Sequence, residues 1–91
     1  MFDLPETHWL RVAHKHSIHH RAEIEASALC GCFYCLATFA PGEIERWVDV
    51  HEPAPRHTAL CPRCGIDSVL GDKSGFAITP DMLRDMNQAW F

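Results

Sequence analysis

The sequence predicts a small α+β domain built around a four-cysteine core, with a long N-terminal helix, a short inserted helix and a C-terminal helix. Three observations support this architecture. C-x-x-C motifs stand at residues 32–35 and 61–64, a stretch rich in helix formers precedes them, and a helix-start signature follows at residues 79–81. A chain of 91 residues has the length of one domain, residues 1–91, whose hydrophobic core is small.

The two C-x-x-C motifs predict a zinc site. Each motif can direct two thiolates at one centre, and two motifs brought together supply the four sulfurs of a tetrahedral site, for which Zn²⁺ is the usual ion. Pro62 and Gly65 favour a tight second turn. Residues 36–60 separate the motifs and leave room for an inserted element. The predicted ligands are Cys32, Cys35, Cys61 and Cys64.

Two other uses of these cysteines are less consistent with the sequence than metal binding. Disulfides or unpaired core thiols would satisfy the same composition, but the N-terminus lacks a secretory signal and cytosolic cysteines stay reduced. A redox C-x-x-C motif needs only one cysteine pair, at a helix start. Two pairs therefore favour metal binding.

Cys30 and His57 are the other residues near the motifs with ligand chemistry. Cys30 could replace Cys32 as a ligand, remain a free thiol or pack in the core, and the C-x-x-C geometry favours Cys32. His57 precedes Cys61 by four residues. Because four thiolates are already available, we expect His57 to be a solvent-side strand residue.

The charge balance disfavours nucleic acid as a partner. Eight Lys and Arg against twelve Asp and Glu give a formal net charge of −4 and an isoelectric point near 5.9, the wrong sign for binding phosphate backbones. No apolar run reaches the roughly 18 residues of a membrane span, and the N-terminus has no apolar signal core. The prediction is a soluble cytoplasmic protein.

Residues 6–28 predict one helix of up to about six turns, since they contain neither glycine nor proline and Pro5 suits the first turn. His16, His20 and Glu23 would then share one side of that helix at i, i+4 and i+7. Such a cluster could bind a second metal or orient a histidine for proton transfer. The alternative is that these side chains are half-buried, hydrogen-bonded surface residues.

Between the motifs, residues 40–49 predict a short helix that begins at Pro41 and buries an apolar edge. Residues 57–60 and 66–70 read as strands on either side of the second motif. Residues 61–65 would then form the tip of a hairpin, and the four-cysteine core is predicted to be a zinc ribbon or treble-clef-like.

The C-terminal helix has the clearest start signal, because Thr79 can cap it and Pro80 suits its first position. The preceding loop, residues 71–75, is expected to be a turn, with an anion-binding loop as the alternative. The apolar edges of the C-terminal and N-terminal helices together exceed what a small zinc core could cover. This predicts a homodimer, unless the two helices cover each other within one chain.

Several segments resemble a family of small bacterial proteins known only as cytoplasmic proteins. The resemblance spans residues 14–91 and is carried by HHRAEIEAS, CGCFYC, PGEIERWVD, TALCPRCGIDSVLG and ITPDMLRDMNQAWF. It implies zinc ligation by Cys32, Cys35, Cys61 and Cys64, and it implies no activity.

A more distant similarity is to treble-clef nucleases of the HNH type, in which two C-x-x-C pairs can staple the catalytic motif. Such enzymes place a catalytic histidine at the end of a strand and a further histidine or asparagine on the following helix. Here His51 and His57 lie between the motifs, but neither belongs to an H-H or D-H pair, and a strand is predicted after Cys64. The sequence departs from the nuclease pattern at these points.

The predicted function is that of a zinc-stabilised interaction or adaptor protein, with partner neutralisation as one form of that role. A small acidic protein suits a basic protein partner, which the sequence does not identify. The alternative is a metal-dependent hydrolase or HNH-like nuclease, using either the cluster of His16, His20 and Glu23 or the pair His51 and His57. No catalytic residue is assigned.

Overall fold

The computed structural model describes residues 3–91, in which short helices and strands alternate along the chain. The α-helices are α1 (Trp9–Lys15), α2 (Arg21–Ala26) and α3 (Pro80–Trp90). The strands are β1 (Cys30–Cys32), β2 (Thr38–Phe39), β3 (Trp47–Val48), β4 (Thr58–Ala59) and β5 (Val69–Gly71). Single 3₁₀ turns lie at Pro41–Glu43, Ala54–Arg56 and Asp72–Ser74.

The strands form two antiparallel sheets that bring the two cysteine motifs together. In the larger sheet, of order β2-β1-β5, Cys30 of the central strand lies opposite Phe39 on one side and Gly71 on the other. In the smaller sheet β3 pairs with β4, with Trp47 opposite Ala59. The first motif begins at the last residue of β1, and the second begins just after β4.

Two apolar clusters lie on opposite sides of β1. One contains the buried cysteines together with Ile24, Phe39, Ile44, Ala59 and Val69. The other contains Ala13, Phe33, Leu70, Ile78, Met82, Leu83 and Met86. A Cβ atom at Gly31 would lie 2.7 Å from the side chain of Ile78 and 2.9 Å from that of Leu83. Glycine at this position therefore lets the second cluster pack directly on the strand backbone.

The predicted single helix over residues 6–28 is wrong, because the chain leaves the helical path between α1 and α2. His19 lies in the left-handed region with φ 52°. The backbone N–H groups of His20 and Arg21 both donate to the carbonyl of His57, at 3.1 and 3.0 Å. In a continuous helix these two N–H groups would donate to carbonyls one turn earlier in the chain. Here a distant segment supplies the acceptor, so a tertiary contact overrides helix propensity.

The predicted helix over residues 40–49 is also wrong. Only Pro41–Glu43 forms a turn of 3₁₀ helix, and Trp47–Val48 is a strand. Aromatic and β-branched residues favour strands when a partner is present, and Thr58–Ala59 supplies that partner.

The predicted zinc-ribbon hairpin is not formed as a pair of strands. Thr58–Ala59 belongs to the small sheet, whereas Val69–Gly71 pairs with β1 in the large one. Residues 61–65 nevertheless form a tight turn, closed by hydrogen bonds between Cys61 and both Gly65 and Ile66.

The predicted C-terminal helix is confirmed. Its cap is the hydroxyl of Thr79, which accepts from the backbone N–H of Met82 at 3.1 Å. At the other end the indole N–H of Trp90 donates to the carbonyl of Leu10 at 3.3 Å. The face of α3 formed by Met82, Leu83 and Met86 is buried within the chain. Phe91 at the end of this helix and Ile18 after α1 stay exposed, at 61% and 52%, so the homodimer remains a prediction.

Candidate metal centre

The four predicted ligands come together. The Sγ atoms of Cys32, Cys35, Cys61 and Cys64 all lie within 4.8 Å of one another. Two pairs that cross between the motifs are 3.7 Å apart, Cys32 with Cys64 and Cys35 with Cys61. Sulfurs at about 2.3 Å from a central zinc ion in a tetrahedron are about 3.8 Å apart. The spacing therefore fits a four-sulfur metal site.

The two motifs adopt the same backbone conformation. In each, the N–H group four residues after the first cysteine donates to that cysteine's carbonyl, from Leu36 to Cys32 at 2.8 Å and from Gly65 to Cys61 at 2.9 Å. In each, the first cysteine's own N–H donates to the carbonyl five residues later, at 2.9 Å. Leu36 and Gly65 both lie in the left-handed region, with φ 68° and 82°. The centre is thus built from two matched turns.

Backbone donors surround the sulfurs. The N–H of Tyr34 lies 3.4 Å from the Cys32 sulfur, and that of Arg63 lies 3.3 Å from the Cys61 sulfur. Burial raises the pKa of the Cys32 thiol. Burial also raises the pKa of Cys61, but N–H donors in its own turn and the neighbouring sulfurs outweigh that effect, so its pKa lies below the ordinary value. Such donors favour thiolates, the form that binds metal.

The first cysteine of each motif is buried and the second is exposed. Cys32 and Cys61 are buried, whereas Cys35 and Cys64 face solvent. Four cysteine sulfurs complete a tetrahedral shell, so no coordination position is left for water or substrate. An ion held by these four sulfurs would therefore have a closed shell.

Cys30 lies outside this group. It is fully buried in β1, and burial raises the pKa of its thiol to about 12. Of the roles left open by the sequence, the structure shows a free thiol packed in the core and not a member of the four-sulfur group.

The residues His16, His20 and Glu23 do not assemble into a three-ligand site. Within residues 3–91 the four cysteines are the one group of three or more ligand atoms close enough for a shared ion. His16 ends α1 and its Nδ1 lies 2.9 Å from a Glu23 carboxylate oxygen. His20 is buried, with Nδ1 on the carbonyl of His16 and Nε2 accepting from the N–H of Ala59 at 3.0 Å. His16 thus links the end of α1 to α2, and His20 links the start of α2 to β4.

His51 and His57 are equally separate from the cysteines. His51 is exposed in a turn. His57 is partly buried, with Nε2 on the carbonyl of Glu52 at 3.0 Å and Nδ1 near the guanidinium of Arg21 at 3.2 Å. Its role is to hold the segment before β4 against α2, and the expected solvent-side strand position is wrong.

The structure has a cleft beside the metal centre that the sequence does not predict. It has a volume of about 460 Å³ and lies between α1, the residues after the second motif and the end of α3. His14, Phe33, Asp67 and Trp90 are among the residues that line it. They are far apart in the sequence, and only the folded chain brings them together.

The left-handed positions in the two matched turns predict the cost of placing an alanine there. At a left-handed position an alanine is expected to be less stable than a glycine by about 1 kcal/mol. Gly65→Ala should therefore destabilise the zinc-loaded protein, although no atom lies within 4 Å of the added Cβ. Leu36→Gly should likewise be more stable than Leu36→Ala. Denaturant unfolding measures both differences, with Gly42→Ala, at an open position without positive φ, as the control.

A second prediction concerns His20. Its ring nitrogens face a carbonyl and an N–H donor, which requires the neutral Nδ1–H tautomer. Burial lowers the pKa of His20, so below about pH 6.5 the unfolded chain binds more protons than the native one. Native stability should fall as the pH drops below that value.

The comparison with His20→Gln tests this expectation. The variant should lose part of the pH dependence of unfolding between about pH 7.5 and 5.5, the range around the ordinary histidine pKa. Zinc content is measured at each pH, because protonation of thiolates adds its own dependence. Identical pH profiles for both proteins would contradict the assignment.

Comparison with protein-family models, with curated proteins and with solved structures finds no match to the chain. The resemblance to small bacterial cytoplasmic proteins and the similarity to HNH nucleases therefore stay predictions from the residues. No helix among residues 3–91 combines the length and apolar character that a bilayer-spanning segment needs.

Proposed function

We propose that the protein binds one Zn²⁺ through Cys32, Cys35, Cys61 and Cys64, and that the ion has a structural role. The observation that carries this proposal is that the four sulfurs lie within 4.8 Å of one another and that two pairs between the motifs are 3.7 Å apart, close to the edge of a zinc tetrahedron. An all-sulfur tetrahedron also excludes the hard cations Mg²⁺ and Ca²⁺, which prefer oxygen. The ion would clamp β1 to the segment after β4.

On this scaffold we propose a protein-interaction or adaptor function. A closed metal shell offers no open position for hydrolysis, and the histidines proposed for a second metal are engaged in hydrogen bonds within the chain. A net charge of −4 supports a basic protein as the partner, because charge complementarity speeds association and excludes partners of like charge. Partner neutralisation is one form that such an interaction could take.

The test is reconstitution with a purified partner. Zinc-loaded protein is isolated with its associated proteins from the cells that make it, and each candidate is purified and mixed with it again. Light scattering after gel filtration should show a complex of fixed stoichiometry, and a strong chelator should dissociate it. Metal-dependent cleavage of DNA or of phosphoester substrates by the zinc-loaded chain alone would instead favour the hydrolase alternative.

A further inference from the structure

The cleft beside the metal centre has aromatic walls. The imidazole of His14 stacks on the indole of Trp90 with 3.7 Å between ring centroids. The exposed ring of Phe91 also lines the cleft and lies 5.9 Å from the buried ring of Phe33. Aromatic faces carry partial negative charge and attract cations.

The charged side chains of the cleft also favour a cationic ligand. The carboxylate of Asp67 lines the cleft and is exposed, and within residues 3–91 it makes neither a hydrogen bond nor an ion pair. Lys15 also lines the cleft, and its ammonium group is paired with Glu6 at 2.9 Å. Burial lowers the pKa of His14, although Asp67 partly offsets the effect, and the lowered pKa favours the neutral imidazole. The cleft thus offers an uncompensated carboxylate among aromatic rings.

The metal centre fixes two walls of this cleft. Phe33 directly follows the ligand Cys32, and Asp67 comes three residues after the ligand Cys64. The N–H of Phe33 donates to the carbonyl of Ser68 at 3.0 Å, which joins the two walls. A metal bound by both motifs would hold the aromatic ring and the carboxylate at a set distance.

We propose that this cleft binds an arginine side chain of a basic protein partner. The proposal rests on the interaction function proposed above and names the chemistry that the partner presents. A guanidinium is planar, so it stacks on aromatic rings, and its fork of N–H donors matches a carboxylate. Asp67 would accept those hydrogen bonds while the aromatic walls cover the faces of the guanidinium.

The experiment is an NMR titration of the zinc-loaded, ¹⁵N-labelled protein with two peptides. Acetyl-Gly-Gly-Arg-Gly-Gly-amide is compared with the same peptide carrying citrulline, which has nearly the same shape as arginine and no charge. The arginine peptide is expected to shift the amide signals of residues lining the cleft, and the citrulline peptide is expected to leave them in place.

Two variants with equal changes in net charge locate the contact. Asp67→Asn should weaken arginine-peptide binding by about tenfold or more, because a hydrogen bond to a charged group is lost. Asp85→Asn changes an exposed carboxylate of α3 that does not line the cleft, and binding should change by less than about twofold. Zinc content and the amide spectrum verify that each variant is folded. If Asp67→Asn does not fold, the comparison of the two peptides on the natural sequence decides whether the cleft binds arginine.

Equal responses to the two peptides, absence of any response, or unchanged binding by folded Asp67→Asn would each overturn the proposal. These results are distinguishable from failure of the interaction function. A reconstituted partner that binds the natural sequence and Asp67→Asn equally would remove the arginine site and keep the interaction. A chain that forms no complex of fixed stoichiometry would remove the interaction function, whatever the peptides show.

Discussion

Cys32→Ser is expected to abolish stoichiometric zinc binding and to unfold most of the chain. The sulfur of Cys32 is fully buried in one of the two apolar clusters and takes part in one of the short contacts between motifs. Structural zinc sites contribute on the order of 10 kcal/mol to folding, which is comparable to the whole stability of a typical domain. Elemental analysis should show loss of the zinc, and far-UV circular dichroism should show loss of the helices.

Cys30→Ser is the matched control for this change. Cys30 is also fully buried, two residues away on the same strand, but its sulfur is outside the group of four. The serine hydroxyl adds a polar group to an apolar cluster, at a cost of about 1–3 kcal/mol, and the zinc content should stay at one ion per chain. Normal zinc content in Cys32→Ser, or an intact fold in a strong chelator, would contradict a structural role for the metal.

The clustering of the four cysteines could be predicted from the sequence because most of its geometry is local. A C-x-x-C turn fixes the relative position of two sulfurs within four residues, and the matched hydrogen bonds at Cys32 and Cys61 belong to those turns alone. The only long-range requirement is that the two turns meet. The start of α3 was equally predictable, since Thr79 caps it through a residue three positions away.

The elements that could not be predicted depend on distant partners. The carbonyl of His57 takes the N–H groups of His20 and Arg21, and this contact breaks a stretch whose composition favours one helix. Trp47–Val48 is a strand only because Thr58–Ala59 lies beside it. Elements of two or three residues have little local preference, so tertiary pairing decides their conformation. The cleft was missed for the same reason.

Leu83→Ala is expected to produce the second large loss of stability, about 2–5 kcal/mol. Leu83 is fully buried in the cluster between α3 and β1, and Gly31 beneath it has no side chain to fill the space left by the leucine. Denaturant unfolding of the zinc-loaded protein measures the loss. Leu36→Ala removes the same atoms from a side chain that is 42% exposed, so it should cost much less.

The same experiment examines where α3 exerts its stabilising effect. In the structure the helix packs on its own chain, through Leu83 on the strand and through Trp90 on Leu10. The loss caused by Leu83→Ala should therefore be the same at every protein concentration. If α3 instead stabilised the protein across an interface between two copies, the unfolding midpoint would rise with concentration in the natural sequence and the variant would remove that dependence. A concentration-dependent difference between the two proteins would thus support the homodimer predicted from the apolar helix edges.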